Sequence, residues 1–277
     1  MGFGAGYNGI SGSIGSSGTG NGQFTNPCGI LVDSAGNVYA GDIGNNRILK
    51  FDSDGNYLLQ FGSYGTSNGQ FNFANRCAGL AFDASGNIWV TDWYNTRVQK
   101  FDTSGVYITQ FPTGNGADSI LVNSTNIFTF ENGNGVCSLK KRDLSGVSIT
   151  GSPGCGSGNG YFYDSTYDSD YMTFDGSGNI WVSDDTQGRV QQFDANLNYM
   201  SQVANNGTSG TDATGVAFDA EGNVYISDEQ YNRIWKYTAA GVAVNSYGGG
   251  TVNYFGSTGS GNTQLQSPNH VYISSYR

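Results

Sequence analysis

One block of residues recurs in this chain with fixed internal spacing, and this block constrains the fold more than any other feature. Its first copy reads Gly29-Ile-Leu-Val-Asp33, Gly36-Asn37-Val-Tyr-Ala-Gly-Asp42 and Asn46-Arg47-Ile-Leu-Lys-Phe51. Three further copies keep the same offsets, with landmarks at Asp83, Asp92, Arg97 and Phe101, at Asp175, Asp184, Arg189 and Phe193, and at Asp219, Asp228, Arg233 and Tyr237. A recurring block predicts a repeat architecture with one structural unit per copy.

A fifth copy is degenerate. It lies between the second and third clear copies, where Ile120–Asn123, Asn126–Glu131 and Val136–Leu139 keep the apolar runs. This copy has lost the first turn of the block and its arginine. The chain therefore holds five full units.

Each unit is predicted to form four antiparallel strands. Short apolar runs rich in Val, Ile, Phe, Tyr and Trp are bounded by Gly, Asn, Asp and Ser, and the Asp-x-x-Gly-Asn step is a tight-turn signal. One such sheet cannot bury both of its faces, so consecutive sheets must stack, and a closed stack is a β-propeller. One equivalent strand position is aromatic and is predicted to pack between blades; it holds Tyr39, Trp89, Trp181 and Tyr225.

These motifs resemble NHL repeats over nearly the whole chain. The pieces that carry the resemblance are Gly-Ile-x-Val-Asp, Gly-Asn-(Val/Ile)-(Tyr/Trp)-Val-x-Asp, Asn-Arg-(Ile/Val)-x-x-Phe and Gly-(Ser)-x-Gly-x-Gly-x-Phe. The resemblance implies an all-β propeller, commonly of six blades. We therefore expect residues 1–277 to form a single six-bladed domain of four-stranded antiparallel blades.

The last of the six blades is expected to be shared by N- and C-terminal strands. Tyr7–Ile14 and Gly20–Phe24 match the tail of a repeat, and Val271–Ile273 match a first strand or, in an alternative alignment, a second strand. The first alignment leaves this blade short of strands, and an unpaired edge invites a strand from another chain. The sequence thus raises the hypothesis of a homo-oligomer or fibre that assembles through the terminal blade.

Charge and composition exclude several partners. Lys and Arg total 12 against 22 for Asp and Glu, and the net charge of -10 argues against nucleic acid or an anionic membrane. No apolar run is long enough to insert into a membrane. The surface must be built mainly from neutral polar residues, which is typical of secreted and cell-surface proteins. Residues 1–6 lack the features of a secretory signal, so either a leader has been removed or the chain is cytosolic.

The four cysteines also favour an oxidising compartment. Four cysteines allow three pairings. Cys28 and Cys77 precede equivalent strands of consecutive repeats, while Cys137 and Cys155 lie within one repeat and the loop after it. These positions favour the pairs 28–77 and 137–155. Buried free thiols remain the alternative.

The recurring carboxylates are expected to be structural. Asp42, Asp92, Asp184 and Asp228 each precede the arginine of their repeat by five residues. A pair that recurs in every clear copy of the block is expected to hold each blade together, whereas an active site occurs once.

The resemblance also supplies an alternative function, because some NHL-like propellers are metal-dependent lyases or hydrolases. A zinc site is excluded, since the chain has one histidine, His270, and nothing nearby completes a nucleophilic triad. A calcium-dependent hydrolase or lyase with its site at the propeller channel stays open. No other cofactor is expected, and the oxygen ligands for calcium would come from Asp118, Asn123, Asp170 or Asp212.

The loops that join the second and third strands differ in sequence from repeat to repeat, whereas the strand framework does not. Tyr and Trp combine apolar area with a polar group, so an exposed cluster of them predicts a recognition surface, although packing over their own blades is the alternative. We therefore expect a non-enzymatic extracellular scaffold that binds a protein or a glycan. The expected partner face consists of Trp93, Tyr94, Asp185, Gln230, Tyr231, Tyr64, Tyr161 and Tyr163.

Overall fold

The fold is all-β. In a computed structural model of the chain, the structure describes residues 14–133, 135–163, 171–204, 213–238, 241–242, 244, 254–255 and 271. Apart from two short 3-10 turns, Ile43–Asn45 and Asp185–Gln187, the regular elements in these ranges are β-strands. Over the same ranges we find no helix with the length and hydropathy needed to cross a bilayer.

Twenty of the strands form five four-stranded sheets, which we number as blades in chain order. A short parallel pair, β1 (Ser16–Ser17) and β2 (Gln23–Phe24), precedes them. Blade 1 holds β3 (Pro27–Val32), β4 (Val38–Asp42), β5 (Arg47–Phe51) and β6 (Tyr57–Phe61); blade 2 holds β7 (Leu80–Phe82), β8 (Ile88–Asp92), β9 (Arg97–Phe101) and β10 (Tyr107–Pro112). Blade 3 holds β11 (Gly116–Val122), β12 (Asn126–Gly133), β13 (Val136–Asp143) and β14 (Ser148–Gly151); blade 4 holds β15 (Met172–Phe174), β16 (Ile180–Asp184), β17 (Arg189–Phe193) and β18 (Tyr199–Ala204); blade 5 holds β19 (Ala213–Phe218), β20 (Val224–Asp228), β21 (Arg233–Tyr237) and β22 (Tyr254–Phe255).

The strand order in each sheet is sequential, so each blade is an antiparallel meander. The prediction of four antiparallel strands per repeat is confirmed. The chain divides into two compact units, Gly2–Asn134 with Lys140–Ile149 and Gly135–Leu139 with Thr150–Arg277, which we call the N-terminal and C-terminal units.

The prediction of six blades is wrong: the described residues form five. The motif Gly20–Phe24 was interpreted as the tail of a blade because it matches residues 67–71. In the structure, Gly20–Phe24 lies in the segment that precedes blade 1 and is closed by the β1–β2 pair, and residues 67–71 lie in the connector between blades 1 and 2, which is closed by the parallel bridge between Tyr64 and Phe71.

The prediction of a last blade shared by N- and C-terminal strands is wrong for the same reason. Val271 is described and lies in no strand, and β22 completes blade 5. Residues 1–13 and 272–277, which were also assigned to the shared blade, lie outside the described residues. The hypothesis of assembly through a short terminal blade therefore loses its basis.

Apolar cores join consecutive blades within each unit. Tyr39 and Phe82 meet edge to face with ring centroids 5.5 Å apart, and Trp181 meets Phe218 at 5.3 Å. The cores hold Tyr39, Phe73 and Phe101 between blades 1 and 2, Trp89, Phe111 and Ile120 between blades 2 and 3, and Trp181, Val216 and Trp235 between blades 4 and 5. The prediction of inter-blade aromatics is confirmed for Tyr39, Trp89 and Trp181, whereas Tyr225 is half-buried.

A buried ion pair fastens each of three connectors to the blade that follows it. In blade 1, Arg47 Nε lies 2.7 Å from Asp42 Oδ2, and its Nη2 donates to the carbonyl oxygens of Gly20 and Gln23, each at 2.9 Å. Asp42 Oδ1 also accepts the backbone N–H of Thr25 at 2.7 Å. The predicted pair therefore holds the connector as well as the blade. The same bonds recur from Arg97 to Ser67 and Gln70, and from Arg189 to Gly158 and Tyr161.

Blade 3 replaces this pair with a different one. Its connector is only residues 113–115, and Ser138 occupies the strand position that holds arginine elsewhere. Glu131, at the end of the second strand, accepts the backbone N–H of Gly114 at 3.1 Å and is paired with Arg142. The degenerate repeat thus keeps the acid that holds the connector and takes its cation from another position.

Two disulfides join the cysteines in the pairs that their positions in the repeat favoured, Cys28 with Cys77 and Cys137 with Cys155. The first joins the strand entries of blades 1 and 2. The backbones touch there, because a Cβ added to Gly29, whose φ is +88°, would lie 2.1 Å from the carbonyl oxygen of Ala78. The pair closes a loop of 49 residues, and the second pair closes one of 18.

We expect Arg97→Ala to lower the free energy of unfolding by about 3 to 5 kcal/mol, because Asp92, which is fully buried, would lose its cation. Urea denaturation followed by tryptophan fluorescence measures this loss. Limited proteolysis should then cut within residues 62–71, which Arg97 fastens.

Lys100→Ala is the matched control, since Lys100 lies in the same strand and pairs with the partly exposed Asp83 at 2.7 Å. A pair of this kind contributes about 1 kcal/mol or less. A loss at Arg97 no greater than the loss at Lys100 would contradict the structural role of the buried pair.

We expect the double variant Cys28→Ser/Cys77→Ser to lose about 4 kcal/mol of stability and Cys137→Ser/Cys155→Ser about 3 kcal/mol, since the longer closed loop restricts the unfolded chain more. Denaturation midpoints with and without a thiol reductant test this expectation. Complete reduction breaks both disulfides, so it should bring the midpoint of the unaltered protein below that of either variant, and an unchanged midpoint after complete reduction would contradict the expectation.

Candidate ligand-binding loops

The second-to-third-strand loop of each of the first two blades is bonded to the connector that precedes that blade. In blade 2, Asn95 Nδ2 donates to the carbonyl oxygen of Gly65 at 2.9 Å, and the backbone N–H of Tyr94 donates to that of Asn72 at 3.1 Å. In blade 1, Gly44 and Asn45 make the equivalent bonds to residues 25 and 18. We call this side of a blade its loop end. The bonds fix the loop backbone before any ligand arrives.

Two of the predicted face residues are exposed together at the loop end of blade 2. The side chains of Tyr64 and Tyr94 are 70% and 63% exposed. Each tyrosine is the chain neighbour of one partner in the Asn95–Gly65 hydrogen bond, so the two residues flank that bond. We call Tyr64 and Tyr94 the tyrosine pair.

Trp93, the chain neighbour of Tyr94, is not an exposed platform. It is half-buried, and the Arg76 guanidinium lies 4.8 Å from the centroid of its ring. Its other side packs against the start of β11, since a Cβ added to Gly116 would come within 2.2 Å of Trp93 Nε1. Arg76 Nη1 lies 3.7 Å from Asp118 Oδ1. Sequence reasoning missed Arg76 because it lies in a connector outside the recurring block; its place directly before Cys77 was the available signal.

The remaining predicted face residues lie in the C-terminal unit. Tyr161 and Tyr163 share one connector and are 39% and 49% exposed, and Tyr231 and Gln230 are exposed in the loop of blade 5. Arg233 lies 4.4 Å from the centroid of the Tyr231 ring. Asp185 differs from the others, because it is buried and accepts bonds from the backbone and the hydroxyl of Thr186. The role of these residues as a partner face remains a prediction.

The first-turn carboxylates of the blades are engaged in their own turns. Burial raises the pKa of Asp219, but hydrogen bonds from Asn223, Tyr225 and Lys236 outweigh this effect and lower the pKa to about 2. The pKa values of Asp83 and Asp175 are lowered by hydrogen bonds in the same way, against the effect of burial. Each of these carboxylates is therefore ionised and bound at neutral pH.

The pKa of the Asp184 carboxyl is shifted upward. Burial raises its pKa, and the hydrogen bond and charge of Arg189 oppose the shift. Arg189 Nε lies 2.8 Å from Asp184 Oδ2, so the carboxyl belongs to the ion pair that fastens the connector. The Asp184 carboxyl therefore serves to hold the connector.

The candidates for a calcium site do not converge within the described ranges. No group of three or more His, Cys, Asp or Glu side chains suited to a metal ion occurs there. Asp118 is buried beside Arg76, whose positive charge disfavours a cation, and Asn123 belongs to a turn between strands. Asp170, Asp212 and His270 lie outside the described residues.

Comparison with known proteins identifies the repeat. The family model described as NHL repeat matches residues 75–101. A stretch of 57 residues is 39% identical to the protein Brain tumor of Drosophila melanogaster, and 46 residues are 44% identical to the protein lin-41 of Caenorhabditis elegans. These matches cover 21% and 17% of this chain but only 6% and 4% of the two relatives.

Solved structures share the fold at low sequence identity. An inactive virginiamycin B lyase from Staphylococcus aureus with quinupristin has a TM-score of 0.61 at 14% identity, over 84% of this chain and 73% of that one. A nidogen/laminin complex has a TM-score of 0.57 at 18% identity, over 77% and 76% of the two chains. A streptogramin B lyase has a TM-score of 0.59 at 16% identity, and the match covers 77% of this chain and 65% of that lyase.

The matched repeat covers β7, β8 and β9, so it contains the Asp92–Arg97 pair and the loop that bears Tyr94. The same motif recurs in blades 1, 4 and 5 with its ion pair in place. Residues 75–101 are therefore an NHL repeat, and blades 1, 4 and 5 carry the same motif on the same four-stranded framework.

Proposed function

We propose that this propeller is a non-enzymatic binding protein that acts outside the cytoplasm and recognises a protein partner through its loop ends. The observation that carries the proposal is the tyrosine pair, two large aromatic side chains exposed on loops that are already fixed by hydrogen bonds. Protein binding is also consistent with the fold, which occurs in a nidogen/laminin complex.

Conformational entropy favours binding by a surface that is already ordered. Binding requires that loops and side chains become ordered, and each ordered group reduces the affinity that contacts provide. The loop of Tyr94 is tied to the connector of Tyr64, and the connector is tied to the blade through Arg97. Tyrosine itself has few rotatable bonds and carries both an apolar ring and a hydroxyl. The tyrosine pair therefore offers contact area at a low ordering cost.

An extracellular location is supported by the covalent structure. All four cysteines are paired, and disulfides persist mainly in oxidising compartments. The net charge of -10 and the abundance of neutral polar residues favour partners met by hydrogen bonds and apolar contact rather than by a basic face.

A calcium-dependent lyase or hydrolase is the second candidate, and the similarity of the fold to virginiamycin B lyase favours it. At 14% identity this similarity concerns the fold alone. The described carboxylates count against a catalytic role, because Asp42, Asp92 and Asp184 are bound to arginine side chains that also hold connectors.

Selection of a random peptide library displayed on phage tests the binding proposal. Peptides that bind the unaltered protein should lose at least about tenfold in affinity for Tyr64→Ser/Tyr94→Ser, because aromatic residues on a fixed surface carry a large share of binding energy. The control variant Leu58→Ser/Ile108→Ser removes two apolar side chains that are also about half exposed, on the outer strands β6 and β10.

Equal binding of the selected peptides to the tyrosine variant and to the unaltered protein would contradict the proposed site. An array of defined oligosaccharides, run in parallel with the same variants, would reveal a glycan partner in place of a protein.

Quinupristin with excess Ca²⁺ tests the second candidate. We expect mass spectrometry to show intact quinupristin after prolonged incubation, and we expect Ca²⁺ to leave the melting temperature unchanged, because an ion bound only by the folded state would raise it. Turnover of quinupristin, or stabilisation by Ca²⁺ together with turnover of another ester or lactone, would overturn the non-enzymatic proposal.

A further inference from the structure

Blade 3 departs from the other blades at its first turn. The residues between β11 and β12 are Asn123-Ser124-Thr125, where the clear copies of the block have Asp-x-x-Gly. Asn-x-Ser/Thr without proline in the middle is the acceptor sequence for N-linked glycosylation. Ser124 and Thr125 are exposed and Asn123 is half-buried, so the acceptor lies at the surface of the folded blade.

The hydrogen bonds of the turn orient the acceptor side chain. Asn123 Oδ1 accepts the backbone N–H groups of Asn126 and Thr125, at 2.8 Å and 3.0 Å, and also the hydroxyl of Thr125 at 3.2 Å. The amide oxygen is therefore the end of the side chain that the turn uses. In the part of the chain that the structure describes, Asn123 Nδ2, the atom that would carry the glycan, has no hydrogen-bond partner.

The other blades show that this free end is particular to blade 3. In blade 1 the second carboxylate oxygen of Asp33 accepts Asn37 Nδ2 at 2.7 Å, and in blade 5 that of Asp219 accepts Asn223 Nδ2 at 2.8 Å. In blade 3 the corresponding asparagine, Asn126, instead donates its Nδ2 to the carbonyl oxygen of Arg142 at 3.1 Å. The second side-chain atom of Asn123 is thereby left unused by the fold.

We propose that Asn123 is a site of N-linked glycosylation, an inference that rests on the proposed extracellular role. The sugar donor is an oligosaccharide linked to a lipid pyrophosphate. Asn123 Nδ2 attacks the anomeric carbon of the first sugar, the nitrogen–carbon bond forms as the bond from that carbon to the pyrophosphate oxygen breaks, the lipid pyrophosphate leaves with the electron pair, and Nδ2 loses one proton.

The position of the turn keeps the glycan away from the tyrosine pair. Strand β11 has 7 residues, and its first residue, Gly116, lies against Trp93 at the loop end of blade 2. Asn123 follows the last residue of β11, and at the usual rise of a β-strand the two ends are separated by roughly 20 Å. A glycan on Asn123 therefore covers the side of the N-terminal unit that lies away from the tyrosine pair and leaves the tyrosine pair open to a partner.

The test uses the full chain with a secretory leader, expressed in human cells, in an Asn206→Gln background. This background removes the second acceptor sequence, Asn206-Gly-Thr208, which lies outside the described residues. We expect intact-mass spectrometry of the secreted protein to show a glycan that peptide-N-glycosidase F removes, and we expect the released peptide to carry aspartate at position 123.

Asn123→Asp is the matched variant. It gives blade 3 the carboxylate that the clear copies of the block carry in this turn and keeps the acceptor oxygen, but it removes the nitrogen that the sugar requires. We expect complete loss of the glycan with unchanged secretion and melting temperature. Thr125→Ser keeps both the acceptor sequence and a hydroxyl, and it should retain the glycan.

Two results would overturn the proposal, and they are distinguishable. Secreted, disulfide-bonded protein without a glycan at Asn123 would reject the modification and leave the extracellular role in place. Protein retained in the cell with free thiols would reject the extracellular role, and the modification with it.

Discussion

The fold depends on a buried aspartate–arginine pair at the end of the second strand of a blade. Two charges taken out of water destabilise a protein unless nearly all of their hydrogen-bonding groups are satisfied. Arg97 satisfies this requirement by binding Asp92, Gln110 and the carbonyl oxygens of the connector, while Asp92 accepts the backbone N–H of Asn72. The pair thus converts an irregular, glycine-rich connector into a fixed part of the blade, and the loops that bear the tyrosine pair are built on that connector.

The sequence predicted the blades well because their signals are local. Strand periodicity, the turn aspartates and the five-residue spacing of Asp42 and Arg47 all lie within one repeat. The connector was misassigned because arginine binds it through backbone carbonyls, such as those of Gly20 and Gln23, which any residue could supply. The Gly-Gln-Phe motif, which recurs at residues 22–24 and 69–71, was therefore interpreted as the tail of a sixth blade.

The candidate site was predictable as a set of loops but not as a set of exposed rings. Trp93 and Tyr94 are adjacent in one loop, yet the first is half-buried and the second is 63% exposed. What separates them is the close approach of Gly116 and the stacking of Arg76, both brought to Trp93 by other segments of the chain. Such contacts between distant segments have no local sequence pattern.

In blade 3, the replacement of the buried ion pair is accompanied by changes in the connector and in the first turn. Removing one member of a buried ion pair leaves a charge without a partner, so a repeat that loses its arginine must also change what the acid binds. In blade 3 the connector is reduced to residues 113–115 and the acid is the longer Glu131. The cation is Arg142, the penultimate residue of β13. The carbonyl oxygen of Arg142 accepts a hydrogen bond from Asn126 Nδ2. In the equivalent turns of the other blades, the corresponding asparagine donates to the turn aspartate. Asn123 Nδ2 therefore lacks, within the described residues, the turn partner that the second carboxylate oxygen has in the equivalent turns of blades 1 and 5.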